Sequence, residues 1–449
     1  MKKKFILAAA ITSVAFFILA GCREDKIELS KSELADKIKG GWAGQIIGCT
    51  YGGTNEFKYR QKIIPDNVKI NWDETRPIVE NVFGGLYDDL YLDITFMDVF
   101  ERCGLNAPRI EFQRAVGEST YELWAANRAL RFAWLDSFQR GEPTSWKVNP
   151  AYNDIDFQIE ADFAGLMSPA MPNAAVEFAE TVGRSINSND GFYCGAYVAA
   201  MYSLAFVSDD MEFVASEALK VIPAESRTRK MMSDILEWHK QNPNDWKFAW
   251  RKFEDAYVKK HDDNFGGCHI HAPNNCAYIL IGLLYGGGDF EKTIDISTRC
   301  GLDSDCNPAS SGGILATAIG YSKIPYKFRK PLEMSGGKLF LGTSYSPEKV
   351  YATGFKQALE VLRANGAEFN GDKIRVALRP ISELPLERDA PSKGEVLSKY
   401  IPVKFSGSAV VEFEGCGAVL YPSPEFLKAF KAFSDAQKQK GFAGEIEVV

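Results

Sequence analysis

The sequence predicts a mainly α fold, an all-α helical body with a small C-terminal α/β appendage. Three observations carry it. Leu34, Ile38, Trp42 and Ile46 recur every four residues, the spacing of one helix face. Residues 174–207 are alanine-rich and broken only at Ser188-Asn189-Asp190-Gly191. Strand-like alternation is scarce before residue 370, so nothing upstream suggests a large sheet.

Taken in order, residues 1–21 read as a secretory signal. Lys2, Lys3 and Lys4 precede an apolar run from Phe5 to Ala20, which ends in Leu19-Ala20-Gly21-Cys22. A cysteine at the cut resembles a bacterial lipoprotein signal, with Cys22 as the lipidated first residue of the mature chain. An uncleaved anchor is the alternative, but the run is short for about 30 Å of hydrocarbon. The expectation is an envelope protein, lipid-anchored outside the cytoplasm, with residues 22–29 as its tether.

Ser30-Lys31-Ser32-Glu33 is a capping-box pattern that opens the first helix of a body spanning residues 30–345. Gly40, Gly44 and Gly48 also fall four apart there, at a cost of about 1 kcal/mol each relative to alanine. Such a row predicts that another backbone, or a ligand, comes close. The helix should break at Gly52-Gly53 and deliver Thr54, Asn55 and Glu56 into a loop.

Residues 57–85 and 104–160, rich in aromatics, proline and asparagine, predict short helices and long loops. Asp88 to Arg102 reads as a helix between them. Further helices are expected at about 209–221, 226–241, 245–260, 273–285, 290–299 and 308–320. Ser346-Pro347-Glu348 opens one more and Asn365-Gly366 stops it. Residues 346–394 are then a helix and a linker, the latter from 379. Residues 395–449 are the small α/β region.

Of 449 residues, 46% are apolar and 25% charged, ordinary globular composition. The 52 basic and 59 acidic side chains give −7. Removing residues 1–21 takes away three lysines and no acid, leaving −10. The charges are dispersed, which argues against nucleic acid as a partner. Nine cysteines show no CxxC pair, so any disulfide pairing stays open.

The chemistry sits in two acidic clusters far apart in sequence. Asp88 and Asp89 head one predicted helix, with Asp93 one turn on. Asp303 and Asp305 precede another, and no charge follows Asp305 until Lys323. Carboxylates at helix starts are ordinarily explained by capping and the macrodipole. A helix that apolar is buried, however, and buried carboxylates need cations or donors. A hard divalent cation, Mg²⁺ first, is the expected answer.

Gly41-Trp42-Ala43-Gly44-Gln45-Ile46-Ile47-Gly48 with Glu56 following, the Asp88-Asp89 pair, and Gly301-Leu302-Asp303-Ser304-Asp305-Cys306-Asn307 before a small-residue helix together resemble the ADP-ribosylglycohydrolase family. The likeness covers about residues 30–325. It implies an all-α fold holding two Mg²⁺ ions, with Mn²⁺ as an alternative, beneath a substrate ribose. It also implies metal ligation by Asp88, Asp89, Asp303 and Asp305, with Cys306 beside them. Glu56, Asp89 and Asp303 take the catalytic roles, Glu56 or a metal-bound aspartate positioning water. Two departures stand out. Tyr87 and Leu90 replace hydroxyl residues around the first pair. Cys306 replaces a threonine and is a soft ligand ill suited to Mg²⁺.

Asp93 is either a replacement ligand or an exposed helix carboxylate. Cys268-His269-Ile270-His271-Ala272-Pro273-Asn274-Asn275 holds two of the four histidines. By analogy with the family, His269, His271 and Asn274 contact substrate, with helix capping or zinc binding as alternatives. Asp162, in the polar stretch 156–173, is a further substrate-binding candidate. No Gly-x-Ser-x-Gly elbow and no phosphate-binding glycine loop is present. The expected function is a metal-dependent glycohydrolase cleaving the C1 bond of an ADP-ribose-type substrate. The alternatives are a hydrolase of an extracytoplasmic carbohydrate or nucleoside glycoside, for which Trp72, Trp124 and Trp146 would suit stacking, and a non-catalytic binder.

Overall fold

The computed structural model describes residues 26–80, 88–137, 140–145, 148–149, 151–259, 270–387, 411–412 and 419–420. The signal segment, Cys22, His269, Trp146 and most of 395–449 lie outside the described residues.

Strand β1 (Lys26–Ser30) leads into α1 (Lys31–Gly52), followed by α2 (Asp88–Cys103), α3 (Arg109–Gly117) and α4 (Ala125–Leu135). Two short helices, α5 (Asp156–Ile159) and α6 (Asp162–Leu166), precede α7 (Pro172–Gly183) and α8 (Asn189–Leu204). Then come α9 (Met211–Ala218), α10 (Arg227–Gln241), α11 (Trp246–Phe253), α12 (Ala272–Gly286), α13 (Phe290–Arg299) and α14 (Cys306–Ile319). The chain continues through α15 (Tyr326–Ser335), α16 (Pro347–Ala364), β2 (Glu368–Asn370) and β3 (Lys373–Ala377). Short strands β4 (Val411–Glu412) and β5 (Val419–Leu420) pair antiparallel. The protein is mainly α, as the sequence predicts.

The expected helix starts hold. The Ser30 hydroxyl accepts from the Glu33 N–H at 3.0 Å, and Ser346 does the same for Lys349 at 3.2 Å. These satisfy N–H groups that a helix start leaves orphaned.

Two expectations change. Residues 26–29, expected as part of a tether, form with Ser30 a strand paired antiparallel with β3. The sheet order is β1-β3-β2, so the N-terminal strand is stitched to the chain beyond α16. Residues 379–387, expected as linker, are docked. Asn173 donates to the Pro380 carbonyl and accepts from the Ser382 N–H, both at 2.9 Å. The Leu384 N–H reaches the Val221 carbonyl at 2.9 Å, and Glu387 pairs with Arg184.

The glycine row explains how the body is built. A Cβ added at Gly40 would lie 2.3 Å from the Ala316 carbonyl oxygen. At Gly44 the obstacle is the Gly312 carbonyl at 2.4 Å, at Gly48 that of Pro308 at 2.0 Å, and at Gly52 that of Ser304 at 1.6 Å. Each step of four along α1 matches a step of four backwards along α14. The two helices are therefore antiparallel and touch backbone to backbone. At the far end, Lys37 Nζ donates to the last-turn carbonyl of Ala318 at 2.6 Å, the charge that a helix C-terminus favours. Among the described residues no helix is long and apolar enough to cross a membrane.

Candidate metal centre

The seam between α1 and α14 places the end of one helix beside the start of the other. Beyond Gly52 the chain makes one 3₁₀ turn and presents Glu56, half-buried. Two backbone hydrogen bonds then clamp this loop to the acidic motif. The Phe57 N–H donates to the Leu302 carbonyl at 2.8 Å, and the Leu302 N–H to the Tyr59 carbonyl at 2.9 Å. Gly301 and Leu302 both adopt left-handed backbone, φ +80° and +62°. A Cβ on Gly301 would strike the Tyr59 and Lys62 carbonyls at 2.4 Å, so glycine is required there. Leu302 has no such freedom; the clamp holds a buried leucine in a conformation that costs of order 1 kcal/mol, directly before Asp303.

Asp303, Asp305 and Cys306 are buried, and one donor atom from each lies within 4.8 Å of the other two. An ion about 2.0–2.3 Å from every ligand leaves ligand atoms at most about 4.6 Å apart. The three donors thus nearly enclose one cation. Asp305 Oδ1 is shielded from solvent and has no hydrogen-bond partner, an arrangement that favours a positive ligand. Burial pushes the Asp305 carboxyl up, opposed by hydrogen bonding with Asp303 and with Cys306. The residues present fit a divalent cation.

The surrounding shell comes from α12 and the loop before α5. The Asn275 side-chain amide donates to Asp303 Oδ2. Ile155 and Ile159 pack against Cys306, with Ile270 alongside. The Ile155 N–H donates to the Ile270 carbonyl at 3.1 Å, and the Ala272 N–H to the Asn153 carbonyl at 2.9 Å. This pairing sets Asp154 opposite His271. Burial pushes Asp154 well up, helped by the charge of Asp156, while Asp156 itself is raised by burial to about 6.

The predicted site residues divide accordingly. Asp303, Asp305 and Cys306 come together, and Glu56 is clamped beside them through Leu302. Asp89 is buried at the start of α2, where Cys49 Sγ lies 3.7 Å from its Oδ1; it is not one of the three donors gathered within 4.8 Å. Asp88 opens α2, but its side chain lies outside the described residues. His271 and Asn274 are buried at the head of α12, and no side-chain cap is made by His271.

Three further candidates are packed against other groups of the chain. Asp162, expected to contact substrate, is wholly buried and accepts from the Tyr202 hydroxyl at 2.7 Å. Asp93 is neither exposed nor among the metal-site donors. Its oxygens accept from Gln45 Nε2 at 2.5 Å and from the Phe163 N–H at 3.1 Å. Burial raises the carboxyls of Asp93 and Asp162 well above the ordinary range, helped by the charge of Asp89 at Asp93 and by that of Asp93 at Asp162. The Trp72 ring, half-buried, packs on Tyr51 and Phe328, and its N–H donates to the Lys327 carbonyl at 3.0 Å.

Sequence reasoning missed Asn275, Asp154 and Cys49. Asn275 had a visible signal, a polar residue directly before the uncharged, largely apolar run 276–286. Asp154 and Cys49 had none, since their roles come from elements distant in sequence.

The family model described as ADP-ribosylglycohydrolase matches residues 30–354. A solved structure named "ADP-ribosylglycohydrolase-related protein complex" is similar at 14% identity with a TM-score of 0.49, covering 74% of this chain and 99% of that one. No curated protein matches the sequence. With 325 consecutive residues matched, from the capped start of α1 through α14 and into α16, the chain belongs to the ADP-ribosylglycohydrolase family.

Proposed function

We propose that this protein is a metal-dependent glycohydrolase that cleaves the C1 bond of an ADP-ribose-type or related ribosyl substrate. Family membership supports glycohydrolase-type activity. The observation that carries the finer reading is the buried Asp303, Asp305 and Cys306 cluster, whose donors lie within 4.8 Å of one another beside the clamped Glu56 loop. Asp303, Asp305 and Cys306 would hold a cation, with Asp89 and Asp88 on the α2 side. When bound, a divalent cation orients a sugar's vicinal hydroxyls and polarises its anomeric centre.

The chain's own residues supply the rest. Asn275 fixes one oxygen of Asp303, so the carboxylate meets its ligand in a set orientation. Ile155 and Ile159 keep water from the Cys306 side. Glu56 is the carboxylate that positions the attacking water and accepts its proton. Its placement relies on the Phe57–Leu302 clamp, because effective positioning supplies much of the rate in such a reaction.

The pattern from Lys2 to Cys22 favours a second reading of the substrate, an extracytoplasmic glycoside met by a lipid-anchored enzyme. The test is release of ADP-ribose from ADP-ribosylated protein, beside a panel of ribosides and glycans, with and without added divalent metal. The double variant Asp303→Asn, Asp305→Asn should lose activity on whichever substrate is turned over. Full activity in that variant would overturn the reading. Cation binding without turnover of any substrate would leave a binding protein.

A further inference from the structure

We infer that Cys306 makes this centre selective for a thiophilic divalent cation of the Zn²⁺ type, held through a metal–sulfur bond, rather than for Mg²⁺. The inference rests on the metal-site reading above and concerns which ion the site takes.

Three observations carry it. The Cys306 thiol is one of the three donors gathered within 4.8 Å, so an ion seated between Asp303 and Asp305 is in bonding reach of sulfur. Among the described residues this is the one group of histidine, cysteine and acidic donors close enough to enclose an ion. Asp305 Oδ1 is more than nine-tenths buried and lacks a hydrogen-bond partner, which marks the cluster as a seat for a cation.

The chemistry follows from the donor set. Mg²⁺ demands near-octahedral oxygen coordination and keeps several waters. A site with one sulfur donor and an apolar flank of Ile155 and Ile159 gives neither. Zn²⁺ accepts sulfur, nitrogen and carboxylate oxygen in four-coordinate geometry and tolerates an open position for water or substrate. As the metal–sulfur bond forms, the thiol proton leaves to solvent, so binding releases one proton.

Zn²⁺ also outranks Mg²⁺ at many all-oxygen sites, so the decisive comparison is between variants of the mature chain. Zn²⁺ and Mg²⁺ affinities are measured by titration calorimetry on wild type, Cys306→Thr and Cys306→Ser. Co²⁺ serves as a spectroscopic probe for sulfur-to-metal charge transfer in the near ultraviolet. Wild type should show that band, and both variants should lose it. Zn²⁺ affinity should fall about 10–100-fold in the variants while Mg²⁺ affinity holds or rises. Circular dichroism melts establish that the variants are folded. Unchanged Zn²⁺ affinity, or a Co²⁺ band that survives both substitutions, overturns the inference and leaves the metal reading standing. If wild type binds no divalent cation at all, the metal reading itself fails and this inference falls with it.

Discussion

Asn275 donates its side-chain amide to Asp303 Oδ2, so an otherwise apolar helix, α12, sets the orientation of a carboxylate at the start of α14. Outer partners of this kind are commonly worth 10–100-fold in metal affinity. Asn275→Ala should weaken divalent-cation binding by about that factor in a calorimetric titration. Because Asp303 keeps its place in the chain, the ligands survive and only their orientation is lost. Unaltered affinity would show that Asp303 is positioned by its own backbone alone.

Gly48→Ala should be severe. The new methyl would lie 2.0 Å from the Pro308 carbonyl oxygen, and a backbone atom cannot swing aside as a side chain does. Overpacking costs typically about 1–3 kcal/mol, and this site belongs at the upper end. Gly337→Ala, where the nearest atom is a carboxylate oxygen at 3.8 Å, should stay within about 0.5 kcal/mol of wild type. Chemical denaturation of the two variants gives the comparison.

Asp156 makes the protein more stable in acid than at neutrality, as far as this one group decides. Burial raises its carboxyl from 3.8 to about 6 in the folded state, so the folded chain holds a proton that the unfolded chain has lost. The contribution is complete below about pH 4 and is lost as the pH rises through about 6, a span worth about 3 kcal/mol. Asp156→Asn keeps an acceptor for the Asn127 N–H, which now reaches Asp156 at 2.8 Å. The variant should therefore gain stability over wild type as pH rises from 4 to 7 in parallel denaturation series. A constant difference across that range would refute the assignment.

Asp93 and Asp162 behave as a pair. Burial holds both carboxyls well above the ordinary range, and the charge of Asp93 raises Asp162 further. Asp162→Asn removes the repulsion and keeps an oxygen for the Tyr202 hydroxyl. Its melting temperature should climb relative to wild type as the pH rises from 4 to 8, as calorimetric scans would show. A difference that stays level or falls as the pH rises would contradict the pairing.

The parts legible in the sequence were those whose cause is local. Periodic apolar residues, caps at Ser30 and Ser346, and the uncharged run after Asp305 each write their helix into consecutive residues. The glycine row announced a close neighbour, but its spacing does not say which one. Asp93 shows the limit. Its position one turn beyond Asp89 places it on the same face of α2, whereas its partners, Gln45 and the Phe163 N–H, come from α1 and α6. Asp162 shows it too, because the Tyr202 hydroxyl that it accepts from comes from α8. Asn275 points at Asp303 only once α12 and α14 are side by side.

The antiparallel fit of Gly40, Gly44, Gly48 and Gly52 to α14 also dictates an order of assembly. Four glycines cost a lone helix about 4 kcal/mol relative to alanine, more than such a segment can sustain by itself. Helix α1 therefore depends for its structure on a helix that begins only at residue 306, after most of the body has been made. A chain cut before Asp303 should have an N-terminal segment that is not helical, and it lacks Asp303, Asp305 and Cys306. The end of the fold that carries Asp303, Asp305 and Cys306 should thus be among the last parts to form, and a partly folded chain lacks that cluster.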